Sequence, residues 1–154
     1  MKKLLIMLLI CSSITAFAQK TNFTGKWLIN KSKIDFGQAP EWIVPKSIQI
    51  EQGTDKITVT KTNLNPELKD LVPVTDRLTF DSKPFERTTA AGLLVTSSLK
   101  WLNDSSFTIS LKTTKQQATE TWNLEDSGKT LTINREVEQT DGLKYTVRCF
   151  YDKQ

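Results

Sequence analysis

The chain has 154 residues, with 21 Lys and Arg against 17 Asp and Glu and no histidine. The missing histidine removes the usual general base, the Cys-His pair and the commonest metal ligand, so catalysis and a metal cofactor are poorly supported. No dense run of Lys or Arg stands out, which argues against nucleic-acid or membrane-surface binding.

The chain begins MKKLLIMLLICSSITAFAQ. Lys2 and Lys3 form a basic start, Leu4 to Ile10 an apolar run, and Ala16-Phe17-Ala18 a small-x-small cleavage site. Residues 1–18 therefore read as a bacterial-style secretory signal peptide, cut after Ala18, with the product in the periplasm or the medium. The apolar run is too short to span a bilayer, and no later segment approaches the roughly 20 apolar residues required. Ile10 stands before Cys11 where a lipobox would place Gly or Ala, so a lipoprotein is not expected. Residues 19–154 form a single domain, large enough to bury about two-thirds of its unfolded surface. Without Lys2 and Lys3 the excess of Lys and Arg over Asp and Glu falls to 2, from 19 against 17. Cys149 is then alone, cannot form an internal disulfide, and reads as a small buried apolar residue.

After Gln19 the dominant pattern is alternation, broken by Gly, Asn, Asp and Ser, as half-buried strands and their turns require. Strands are predicted near 23–30, 47–52, 56–62, 76–81, 85–89, 94–101, 106–113, 116–124, 129–138 and 143–151. Two connections break the rhythm: KSKIDFGQAPEWIVPK (31–46) and NLNPELKDLVPV (63–74). Long loops in a compact domain are usually functional or lid-like. The others are hairpin-short. A meander of this kind predicts an all-β fold, a single antiparallel up-and-down barrel of about eight to ten strands, because closure removes exposed edges.

Two registers follow from side-chain matching. A four-residue loop Asp126–Lys129 sets Leu124 opposite Leu131, Trp122 opposite Ile133 and Glu120 opposite Arg135. One residue of slip would mismatch every pair. A three-residue loop Thr140-Asp141-Gly142 puts Val137 by Tyr145, Arg135 by Val147 and Ile133 by Cys149. A two-residue turn would bring Arg135 beside Arg148, which like-charge repulsion disfavours.

The predicted inward row is Trp27, Leu78, Phe80, Phe85, Val95, Leu99, Trp101, Phe107, Ile109, Trp122, Ile133, Val137, Tyr145 and Val147. This is enough bulk to fill a small barrel. Glu120 and Arg135 interrupt it, and removing two ions from water costs several kcal/mol each unless geometry and hydrogen bonds compensate. They read either as a polar anchor in an apolar pocket, with Arg135 holding an acidic group and Glu120 positioning it, or as a self-satisfied structural pair. Arg87 is a second inward candidate, or a solvated strand end. Trp42, in the first long connection, either touches a ligand or plugs the mouth. Trp101, Trp122 and Tyr145 complete the candidate ligand-binding set, with core packing as the alternative for the tryptophans.

FTGKWLIN, with Gly25 and Trp27, resembles the first strand of the calycin superfamily, which includes lipocalins and fatty-acid-binding proteins. YTVRCFYDK at the end is similar to the closing strand of intracellular fatty-acid-binding proteins, and the whole looks like the small secreted bacterial proteins described as lipocalin-like. The resemblance implies a ligand-holding barrel with the 31–46 connection as its lid. It also offers Arg148 as a basic residue to stack over Trp27, with strand parity leaving its facing open. The departures are the missing lipocalin Thr-Asp-Tyr motif and the missing inward Arg-x-Tyr of the last strand, since Arg148 and Tyr151 point to opposite faces.

The function expected is binding of a small, mainly hydrophobic molecule, with an acidic head group near Arg135, by a monomer that needs no cofactor and is not an enzyme. The alternative is a filled barrel acting as an envelope interaction module or inhibitor, without a small-molecule ligand.

Overall fold

Ten strands follow one another as an antiparallel meander: β1 Gly25–Ile29, β2 Ser47–Gln52, β3 Lys56–Thr62, β4 Val74–Thr79, β5 Phe85–Thr88, β6 Leu94–Asn103, β7 Ser106–Lys112, β8 Gln116–Glu125, β9 Thr130–Gln139 and β10 Lys144–Lys153. The computed structural model describes residues 20–154 apart from 35, 37 and 38, so the signal-peptide expectation and Cys11 lie outside the described residues. In the sheet, β1 pairs with both β2 and β10, which rolls the ribbon into a tube. Only β4 and β5 do not pair, leaving a seam in a nearly closed barrel. The Arg87 Nε donates to Asp76 Oδ1 across that seam at 2.6 Å.

Strand boundaries differ from expectation where side chains take over from the ladder. β1 begins at Gly25 because the Phe23 amide donates to the Gln52 side chain instead. β4 is shifted towards the N-terminus. Its predicted end is a turn in which Ser82 is left-handed (φ 63°). β6 runs on to Asn103 through an irregularity after Trp101.

Both reasoned registers are present. Glu120 faces Arg135, Trp122 faces Ile133 and Leu124 faces Leu131. Val137 faces Tyr145, Arg135 faces Val147 and Ile133 faces Cys149. The second hairpin closes where the Gly142 amide donates to the Gln139 carbonyl at 3.0 Å. Gly142 has φ 90°, a left-handed conformation that glycine adopts without steric cost.

The closed half of the barrel is solid. Phe23, Trp27, Phe107 and Trp122 are fully buried. Phe107 stacks on Trp122 at 5.5 Å and meets Phe23 at 4.6 Å and Trp101 at 5.3 Å. Such pairs add about 0.5–1.5 kcal/mol each beyond the area they bury. Lys20 covers this cluster with its Nζ 4.7 Å from the Trp101 ring.

The cation over Trp27 is not Arg148. Arg148 pairs in register with Asn134 and lies on the outer face, over Phe150 and near Glu125. Lys153 is the register partner of Trp27, and its Nζ sits 5.3 Å from the indole. Its side chain crosses Gly25, where an added Cβ would lie 2.8 Å from Lys153 Cε. The Gly-x-Trp spacing thus leaves a path for the lysine.

Candidate functional site

Five strands carry one inward charge each, at the boundary between the packed half and the open half. On β3 the inward row is Ile57, Val59, Lys61; on β4 it is Val74, Asp76, Leu78; on β5 it is Phe85, Arg87. On β8 Glu120 follows Ala118 and precedes Trp122, and on β9 Arg135 lies between Ile133 and Val137. Together they make a charged belt above the aromatic cluster.

Glu120 is the centre of the belt. Its Oε2 accepts from Lys61 Nζ at 2.7 Å and from Trp122 Nε1 at 3.1 Å. Arg135 Nε stands 3.9 Å from the other oxygen, too far for a hydrogen bond, and has no partner. Arg135 Nη1 donates to the Ile43 carbonyl at 3.2 Å. Burial alone would raise the Glu120 carboxyl, but the charges of Lys61 and Arg135, with the Lys61 and Trp122 hydrogen bonds, hold it below the ordinary value. The nearby Cys149 thiol is pushed up to about 12 by burial and then by the charge of Glu120. Burial likewise raises the Tyr151 phenol, which donates to the Pro45 carbonyl at 3.0 Å.

Above the belt lies a cavity of about 660 Å³, open at the mouth. Its floor is Lys61, Asp76, Arg87, Glu120 and Arg135. Its walls include Leu64, Leu71, Val74, Leu111, Leu143 and Tyr145. Both long connections contribute. Ala39, Pro40, Trp42, Ile43 and Pro45 come from the first, around a short 3-10 turn Glu41–Ile43, and Asn63, Leu64 and Leu71 from the second. Arg135 and Tyr151 hold the first connection by its carbonyls, and Lys46 reaches Asp70 at 2.9 Å to join the two.

Of the seven residues singled out in the sequence, Trp42, Arg87, Glu120, Arg135 and Tyr145 line this cavity. Trp101 and Trp122 do not. They belong to the packed aromatic cluster beneath it, where Trp122 supports Glu120 from below. Two lining charges, Lys61 and Asp76, were not anticipated. Their signal was present as inward parity, since each continues an apolar alternation. The inward row does not fill the barrel, because its bulk collects in the closed half.

Among the described residues no helix is long and apolar enough to cross a membrane, and no group of three His, Cys, Asp or Glu could hold a metal ion. No protein-family model and no curated protein sequence matches the chain. Solved structures do. A fatty-acid-binding protein of Schistosoma mansoni in complex with arachidonic acid aligns with a TM-score of 0.57 at 15% identity, over 86% of this chain and 96% of that one. The chain has the fold of the fatty-acid-binding-protein-like calycin barrels. An asparagine-to-alanine mutant of the fluorescent protein UnaG gives 0.57 at 19% identity, over 86% and 96%. The zebrafish ileal bile-acid-binding protein complexed with cholic acid gives 0.56 at 16% identity, over 86% and 98%. Of the departures noted from this fold group, the last strand keeps Tyr151 inside and Arg148 outside, and the arginines lining the cavity come from β5 (Arg87) and β9 (Arg135).

Proposed function

We propose that this protein binds a small, mainly hydrophobic molecule with an acidic head group inside the barrel, close to Arg135. The observation that carries the reading is the cavity of about 660 Å³, which falls within the size range of small-molecule sites and combines apolar walls with a few convergent polar groups. Arg135 is held by one carbonyl and is not hydrogen-bonded to Glu120, so most of its five donors remain for a ligand. Solved structures of this fold that contain arachidonic acid and cholic acid support the same reading. With residues 1–18 read as a signal peptide, the binding takes place in the periplasm or outside the cell, in a monomer that performs no chemistry on its ligand.

Native mass spectrometry of protein purified from its own host tests this directly. A co-purified small molecule, lost in Arg135→Met, is the expected result. Consistent absence, with no tryptophan-fluorescence change across lipids, pigments and organic acids, overturns it. The rival reading, an interaction module, draws on the exposed apolar rim, where Trp42 is 42% and Val72 84% exposed. It requires a protein partner and no bound small molecule, so the same experiment separates the two.

A further inference from the structure

We infer that the ligand is a compact monoacid of about eight carbons in depth, carboxylate down, and not a long acyl chain. This rests on the pocket reading above and adds the charge and length of its occupant.

The charge follows from the belt. Lys61, Arg87 and Arg135 face Asp76 and Glu120, and these five are the charged residues lining the cavity. Asp76 and Arg87 neutralise each other at 2.6 Å. Lys61 takes Glu120 at 2.7 Å, and Arg135 is the cation left over, 18% exposed and facing the cavity. Glu120 is shared between Lys61 and the longer Arg135 contact, so the belt keeps one net positive charge. Leaving that charge out of water is costly, and a singly charged anion compensates it where a dianion would overshoot. Guanidinium and carboxylate also match as a planar, two-point pair.

The length follows from where the barrel is filled. Beneath the belt, Trp122, Phe107 and Trp101 close the tube, so no chain can continue downward. From Arg135 to Gln139, the last β9 residue lining the cavity, is four residues. At ~3.4 Å per residue and a tilt of ~40°, this is roughly 10 Å along the barrel axis. A zigzag of carbon–carbon bonds of about 1.5 Å advances roughly 1.3 Å per atom, so about eight carbons reach the rim. Atoms beyond that leave the mouth and bury little.

Isothermal titration of the processed protein with unbranched alkanoates of increasing length, each below its micelle concentration, tests both halves. Affinity should rise about fourfold per added methylene up to about eight carbons and then level off. Decanol should bind at least about tenfold more weakly than decanoate. Arg135→Met should remove that head-group preference while keeping the length at which affinity levels off. A rise that continues through sixteen carbons overturns the length, and equal binding of decanol overturns the charge, in both cases leaving the pocket reading in place. Failure of every acid to bind overturns this inference, while the pocket reading stands or falls by the native mass spectrometry described above.

Discussion

Glu120 and Arg135 stand directly opposite one another on β8 and β9, yet the carboxylate's short contact is with Lys61 on β3. The distances are 2.7 Å to Lys61 and 3.9 Å to Arg135. The contact spans 59 positions of sequence and ties two walls of the barrel through its interior. It separates two roles that a simple facing pair would merge. Lys61 and Glu120 make the short ion pair, and the Arg135 Nε keeps no hydrogen-bond partner.

That division predicts unequal costs of mutation. Glu120→Gln leaves Lys61 and Arg135 as neighbouring buried cations and should lower stability by about 3 kcal/mol. Arg135→Met leaves a neutral pair and should cost less than about 1 kcal/mol, chiefly the hydrogen bond to Ile43. Urea unfolding at neutral pH measures both. Equal losses would make Arg135 a structural partner and weaken its assignment to a ligand.

The pH dependence has a defined sign. The Glu120 carboxyl lies below its ordinary 4.5 in the folded protein, so folding favours its charged form. The resulting stabilisation is complete above about pH 4.5 and fades as the carboxyl protonates at lower pH. The gap in Tm between wild type and Glu120→Gln should therefore stay constant from about pH 8 to 5 and narrow below about 4.5. A gap that changes near neutrality would place the titration on another group.

The strands and both hairpin registers were legible because side-chain alternation leaves one consistent answer per hairpin. Ala118, Glu120, Trp122 and Leu124 match Val137, Arg135, Ile133 and Leu131 in one register only. What alternation could not supply was height along the barrel. Trp101 and Trp122 share the inward face with Arg135, but they lie below the belt among Phe23 and Phe107. Parity says in or out, and says nothing of floor or cavity. Lys61 and Asp76 were missed for a related reason. Lys61 meets Glu120 59 positions away, and Asp76 meets Arg87 across the β4–β5 seam, where no ladder register links the two strands, so no hairpin pairing marks either charge. Analogy offered Arg148 for the place over Trp27 and parity left it open; the register of β1 with β10 gives that position to Lys153.

The Gly25–Lys153 contact makes a further prediction. Gly25→Ala puts a methyl group 2.8 Å from Lys153 Cε and strains a backbone at φ 156°. The lysine stem is flexible, so it moves aside and gives up its place over Trp27, for a total loss of about 1–2 kcal/mol. Combining it with Lys153→Ala should cost less than the sum of the two single changes, because both remove the same contact. Strict additivity in the unfolding midpoints would show that the glycine serves the backbone alone.

Cys149 offers a probe of barrel opening beside the site. It faces Ile133 across β9–β10, lies between Val147 and Tyr151 on the inward row, and is 3% exposed. The thiolate is the reactive form, and a thiol pushed up to about 12 holds almost none of it near pH 8. Labelling by a thiol reagent at that pH must then wait for β9 and β10 to part. Its rate should lie at least about a thousandfold below that of a free cysteine and rise with urea in step with unfolding. An occupant of the cavity should slow it further, since binding to the folded state alone reduces the open population. Labelling within tenfold of a free cysteine in native buffer would mean that this wall of the barrel is already open.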